Sequence, residues 1–181
     1  MSHLIEQEEE GTPRAPSRSA ATRNELEQTH GATFIREVTI QYRGARIKAC
    51  DPITDPAREV DVGRKIVKDD AREHFLALYL DGRHRPIAYS VVSVGTASAS
   101  LVHPREVFQR AVLVGASAFL VLHNHPSGDP TPSAEDREVT VRLVRAGELL
   151  GVRVIDHIVV AERGFCSLRD EGAMEEAQEG V

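Results

Sequence analysis

Between residues 74 and 168 short apolar runs alternate with stretches of helical period, and their order predicts the architecture. HFLALYL (74–80), the polar turn DGRHRP (81–86) and IAYSVVSVG (87–95) read as a strand pair. PREVFQRAVLVGA (104–116) opens with proline, whose missing N–H costs nothing in a first helical turn, and sets Val107, Phe108, Ala111 and Val112 at helical spacing. SAFLVLH (117–123) is continuously apolar, as a strand buried on both faces would be. Residues 133–150 predict a helix with Val139, Leu143, Val144 and Leu150 inward, followed by the strand VRVIDHIVV (152–160) and a last short one, GFCSL (164–168).

Upstream, residues 57–71 predict a helix with Val60, Ile66 and Val67 on its apolar side. The preceding DPITDPA is a linker, because each Asp-Pro step disfavours the helical region. FIREVTIQYRGARIKAC (34–50) alternates apolar and polar residues, so 34–56 is expected to be a short β addition plus linker. Residues 1–33 hold too few apolar groups to offset the entropy of ordering and are expected to form a disordered tail; 171–181 is expected to be a frayed acidic tail. No internal repeat occurs. The fold expected is a single three-layer α/β domain.

Composition sharpens this picture in three places. With 41% hydrophobic residues, 4% aromatics and no tryptophan, the core must be mostly Val, Leu, Ile and Ala. The net charge of −6 is a property of the ends: 1–33 carries six acids and three bases, 171–181 carries four glutamates, and without them the middle is near +1. A near-neutral middle lacks the basic face of a nonspecific DNA binder. The two cysteines, Cys50 and Cys166, form no CxxC pair, no apolar run reaches membrane length, and no signal peptide is evident. A cytoplasmic location without a membrane span is expected.

The candidate chemistry lies in HNHPSGDPTPSAED (123–136). Residues i and i+2 of a strand point to one side, so His123 and His125 aim two imidazoles at one point. Zinc takes such donors, and a catalytic zinc takes three protein ligands plus a water. Asp136, brought back by a proline-stiffened loop, is the candidate third ligand. The plainer reading of Ser133 and Asp136 is a capping box, and taken alone that spacing is more often a cap.

Taken together, H-x-H-x7-S-x2-D resembles the signature of the JAMM metalloenzymes, also called MPN+ or JAB. VSVGTASASLVHPREVFQRAV, FLVLHNHPSGDPTPSAED and AGELLGVRVIDHIVV look like the bacterial RadC-like branch, over residues 57–170. The resemblance implies a cytidine-deaminase-like mixed sheet flanked by helices. It implies Zn2+ held by His123, His125 and Asp136, with Ser133 hydrogen-bonding the reacting oxygen. The general base it implies is Glu73 in REHFLALYLDG, with Glu106 in PREVF the competing choice, since a glutamate at a helix start is more often a partner of the helix dipole. Zinc would lower the pKa of a bound water from about 16 to about 7 for attack on a peptide or isopeptide.

Full-length RadC-like proteins usually carry a helix-hairpin-helix-type region first. Its glycine-containing hairpins are not found here, which weakens any transfer of DNA binding. The alternative is a DNA-repair or mobile-element accessory protein that uses the domain for nucleic-acid or protein interaction. His157 is read as a satisfied core histidine or a partner behind a ligand, and His103 similarly. His74 should point away from Glu73, and His84 falls in an exposed turn. Asp129 is expected to shape the Gly-Asp-Pro turn, with Asn124 and Ser127 positioning backbone. Substrate identity and oligomeric state stay open, including pairing of 34–49 between chains.

Overall fold

The computed structural model describes residues 51–53, 55–67, 71–95 and 102–179. The tail expected over 1–33 and the β addition expected over 34–49 lie outside them. The elements are α1 (Pro56–Ile66), β1 (Glu73–Leu80), β2 (Pro86–Gly95), α2 (Pro104–Leu113), β3 (Ala118–Asn124), α3 (Ala134–Leu150), β4 (Arg153–Ala161), β5 (Gly164–Ser167) and α4 (Ala173–Glu179). The strands form one mixed sheet in the order β2-β1-β3-β4-β5. Among the described strands only β3 and β4 run parallel, and α3 makes the crossover that a parallel pair requires.

Side-chain alternation along the strands builds two cores. On one face, Phe75, Ala77 and Tyr79 of β1 and Phe119 and Val121 of β3 pack with Val107, Phe108 and Ala111 of α2 and Val139 and Leu143 of α3. On the other, Leu76, Leu78, Leu80, Leu120, Leu122 and Ile158 pack beneath Val60 and Val62 of α1. The sheet is thus the middle of three layers, and β3, buried on both faces, is its centre. Truncating Leu120 or Leu122 to alanine would cost about 2–5 kcal/mol.

Helix starts follow the sequence. Asp55 caps α1, its carboxylate accepting from Arg58 N at 3.0 Å ahead of Pro56. Gly63 lets α1 lie close on the sheet, because a Cβ there would stand 2.7 Å from Leu122 Cδ2.

Three expectations are corrected. The helix expected over 57–71 stops at Ile66, with Val67 already extended, and its inward residues are Val60 and Val62, with Ile66 only partly buried. Leu150 is 53% exposed, because the helix ends there and Gly151 turns the chain left-handed at φ 67°. Within the acidic end, 173–179 is helical: Ala173, Met174 and Ala177 make an apolar face, and Met174 and Ala177 pack on Val144 of α3.

Candidate metal centre

β3 delivers the two histidines. His123 lies on the α2/α3 face, 2% exposed, its ring stacked on Phe75 with centroids 5.9 Å apart. His125 follows the strand and stays beside β4 because its N–H donates to Val160 O at 2.8 Å. The chain then turns. Gly128 N donates to His125 O at 3.1 Å with Gly128 at φ 79°, and Asp129 Oδ1 accepts from Thr131 N and Oγ1 at 3.0 and 2.7 Å. Asp129 shapes this loop, as its place in the sequence suggests.

The loop returns at Ser133, the N-cap of α3. Ser133 Oγ accepts from Asp136 N at 3.1 Å, while Ser133 N and Oγ donate to Asp136 Oδ2 at 2.8 and 2.7 Å. The capping box is therefore real, and it aims the carboxylate rather than competing with it. Oδ1 lies 3.2 Å from His123 Nε2, and Oδ2 lies 3.6 Å from His125 Nε2. The two Nε2 atoms are 2.9 Å apart.

These three side chains can each direct one ligand atom into a space where all lie within 4.8 Å of one another. A tetrahedral ion with bonds of about 2.0–2.2 Å keeps its ligand atoms about 3.3–3.6 Å apart, close to the spacings seen. Two ring nitrogens at 2.9 Å beside a buried carboxylate need a proton or a cation between them. The donor set of two imidazoles and a carboxylate suits zinc.

The electrostatics agree. Burial alone would raise the Asp136 carboxyl, but His123, His125 and Ser133 hold it well below the usual carboxylate range. His125 is raised by its contact with Asp136 despite partial burial. Glu73 is raised by burial, with His123 and His125 pulling it down and Asp136 pushing it up, so its carboxyl senses the whole cluster. Phe75 pairs with His123 in the antiparallel β1–β3 ladder, and Glu73, two residues before it, falls on the same face of β1. Asn124 closes this end of the ladder: its Oδ1 accepts from His74 N at 2.8 Å and its Nδ2 donates to Arg72 O at 2.9 Å.

The structure thus brings His123, His125, Asp136, Ser133 and Glu73 to one end of the sheet. Glu106 sits in the first turn of α2, its carbonyl accepting from Arg110 Nη1 at 2.6 Å, and makes no described contact with the cluster. His103 precedes that helix without a side-chain cap bond. His74 faces the opposite side of the sheet and, with Arg64, Leu122, Val160 and Glu162, lines a cleft of about 720 Å³ that reaches His125. His84 occupies the β1–β2 turn at φ 57°. Ser127 Oγ accepts from Asp129 N at a long 3.4 Å. The Cys166 thiol, partly buried and beside Glu171, is pushed up to about 12; Cys50 lies outside the described residues.

Two residues stand behind the cluster, His157, which the sequence offered as a core histidine or a partner behind a ligand, and Thr140, which it did not single out. His157 Nε2 lies 2.8 Å from His123 Nδ1, and Thr140 Oγ1 lies 2.7 Å from His157 Nδ1. Both residues are fully buried. Thr140 stands four residues after Asp136, one helical turn on, which is the signal that would have found it.

A three-layer α/β domain with two histidines leaving a central strand and an aspartate opening the next helix presents a group that could hold a metal ion. Residues 53–173 match the RadC-like JAB domain, and the chain belongs to that family. It is 41% identical over 138 residues to a protein named UPF0758 from Geotalea uraniireducens, covering 76% of this chain and 60% of that protein. It is 39% identical over 159 residues to one from Trichlorobacter lovleyi, 83% and 69% covered. A relative from Pelobacter propionicus is 43% identical over 134 residues, 74% and 58% covered. The chain therefore spans about 60–70% of the length of these relatives. Among the described residues no helix is long and apolar enough to cross a membrane.

Proposed function

We propose that the chain is a zinc-dependent hydrolase of amide bonds, of the metallopeptidase or isopeptidase type, acting in the cytoplasm. The observation that carries this reading is the convergence of His123 Nε2, His125 Nε2 and an Asp136 carboxylate oxygen within 4.8 Å, with Glu73 in electrostatic reach. His123, His125 and Asp136 would hold the ion, which supplies Lewis acidity and an acidified water. Glu73 takes a proton and returns it to the leaving nitrogen, a task suited to a carboxylate raised above its ordinary value. Ser133 keeps Asp136 aimed through its backbone N–H even when its hydroxyl turns to a substrate oxygen. The cleft of about 720 Å³ beside His125 has room for several residues of a peptide, with Leu122 and Val160 as apolar floor and Arg64 and Glu162 as charged walls.

The test is metal content by elemental mass spectrometry on wild type and on His123→Ala/His125→Ala. About one zinc per wild-type chain, lost in the variant, supports the reading. Wild-type protein that neither retains zinc nor takes it up would sink it. Glu73→Gln should then keep zinc and lose cleavage of a peptide and isopeptide library.

A further inference from the structure

We infer that His157 and Thr140 are positioning residues that fix His123 in the one tautomer able to serve as a ligand through Nε2; this rests on the zinc reading above. Hydrogen-bond bookkeeping carries it. Thr140 Oγ1 donates to Asp136 O at 2.8 Å, and a backbone carbonyl can only accept. The hydroxyl has one proton, so toward His157 Nδ1, at 2.7 Å, Thr140 must accept. His157 therefore carries its proton on Nδ1. Its Nε2, 2.8 Å from His123 Nδ1, is left as an acceptor. His123 in turn carries its proton on Nδ1, and its Nε2 presents a lone pair toward Asp136 Oδ1 at 3.2 Å.

The circuit closes on itself. Asp136 begins it with its carbonyl and ends it with its carboxylate, joining α3, β4 and β3 in one ring of contacts. Every member is at most 3% exposed, so water does not compete for these bonds. The parallel register makes it possible: Val121 pairs with His157, and two residues on, His123 projects from the same face. The same bookkeeping excludes His157 as a further ligand, because both its nitrogens are committed. His125 is set separately, its Nδ1 donating to Asp129 O at 2.9 Å, so both ligand histidines are oriented by groups that bind no metal.

Two measurements on the full chain test this. The first is zinc affinity by competition with a chromogenic chelator, for wild type, Thr140→Val and Thr140→Ser, beside the thermal stability of each metal-free protein. Valine keeps the shape and removes the acceptor, so His157 is no longer held in its tautomer. Affinity should fall about 10–100-fold in Thr140→Val and return in Thr140→Ser. A merely structural role would lower metal-free stability and leave affinity unchanged, and that result would overturn the inference. The second is the imidazole ¹⁵N spectrum of metal-free wild type, where His123 and His157 should both carry a proton on Nδ1. Absence of a proton from His123 Nδ1 would overturn the inference whether or not zinc binds. Failure of wild type to bind zinc would instead count against the hydrolase reading, and the spectrum would still decide the tautomer.

Discussion

Asp136 does two jobs with two oxygens, and the jobs can be separated. Oδ2 completes the capping box with Ser133, and Oδ1 faces His123. Asp136→Ala removes both functions: zinc should be lost, and the metal-free protein should be destabilised by about 0.5–2 kcal/mol for the missing cap. Ser133→Ala removes only the hydroxyl half of the cap, so it should lower stability by a similar amount and still bind zinc. Metal content and urea denaturation of the two variants check this. Glu73 titrates into the same cluster. A base works only when deprotonated; burial raises the Glu73 carboxyl and a bound cation would lower it, so Glu73 gives a kcat/KM profile its acid limb. Glu73→Gln should cost about 10²–10⁴-fold in rate and abolish that limb.

At the scale of elements, α4 shows how charge can hide a helix. Four glutamates dominate 171–181, but Ala173, Met174 and Ala177 recur at helical spacing; Met174 and Ala177 cover Val144 and the start of β4, and Ala173 packs on Val159 and Leu168. Met174→Asp should lower stability by about 2–4 kcal/mol through an unpaired buried charge, with little effect on zinc content, since the contact lies at α3's middle rather than its first turn. Denaturation midpoints and metal analysis on one preparation would show it. The strands and the loop of candidate ligands were legible in the sequence because their signals are local: HFLALYL and SAFLVLH are apolar through their middles, and HNHPSGDPTPSAED keeps the three candidate ligands within 14 positions. Thr140 was not, and His157 was placed only as a core histidine or a partner behind a ligand, because the choice between those depends on the β3–β4 register that sets His157 beside His123. Glu59 was missed for the same reason: a glutamate on a helix reads as solvated until the sheet beneath it is placed.

At the scale of the whole molecule that glutamate contributes to the response to pH, beside the buried Asp156, which burial also raises. Glu59 of α1 is 1% exposed, and neither carboxylate oxygen has a hydrogen-bond partner. Arg169 Nη1 stands 3.8 Å away but also serves Asp156, whose Oδ2 is 3.5 Å from Nη2 and accepts from Ser167 Oγ at 2.6 Å. One guanidinium thus faces two buried carboxyls. Burial first, and the neighbouring Asp156 second, push Glu59 up to about 8. The unfolded chain ionises Glu59 near the ordinary 4.5, so between about 4.5 and 8 the folded state binds the extra proton. Stability then falls as pH rises, by at most about 1.4 kcal/mol per unit for one proton. The stabilising contribution is whole below 4.5 and gone above 8. Glu59→Gln carries no titrating proton and should flatten this slope: equal to wild type near pH 4.5 and more stable by a few kcal/mol, on the order of 2–4, at pH 8. Urea denaturation of both proteins at five pH values across the window reads the slope directly, and parallel curves would mean that Arg169 satisfies Glu59 as an ion pair.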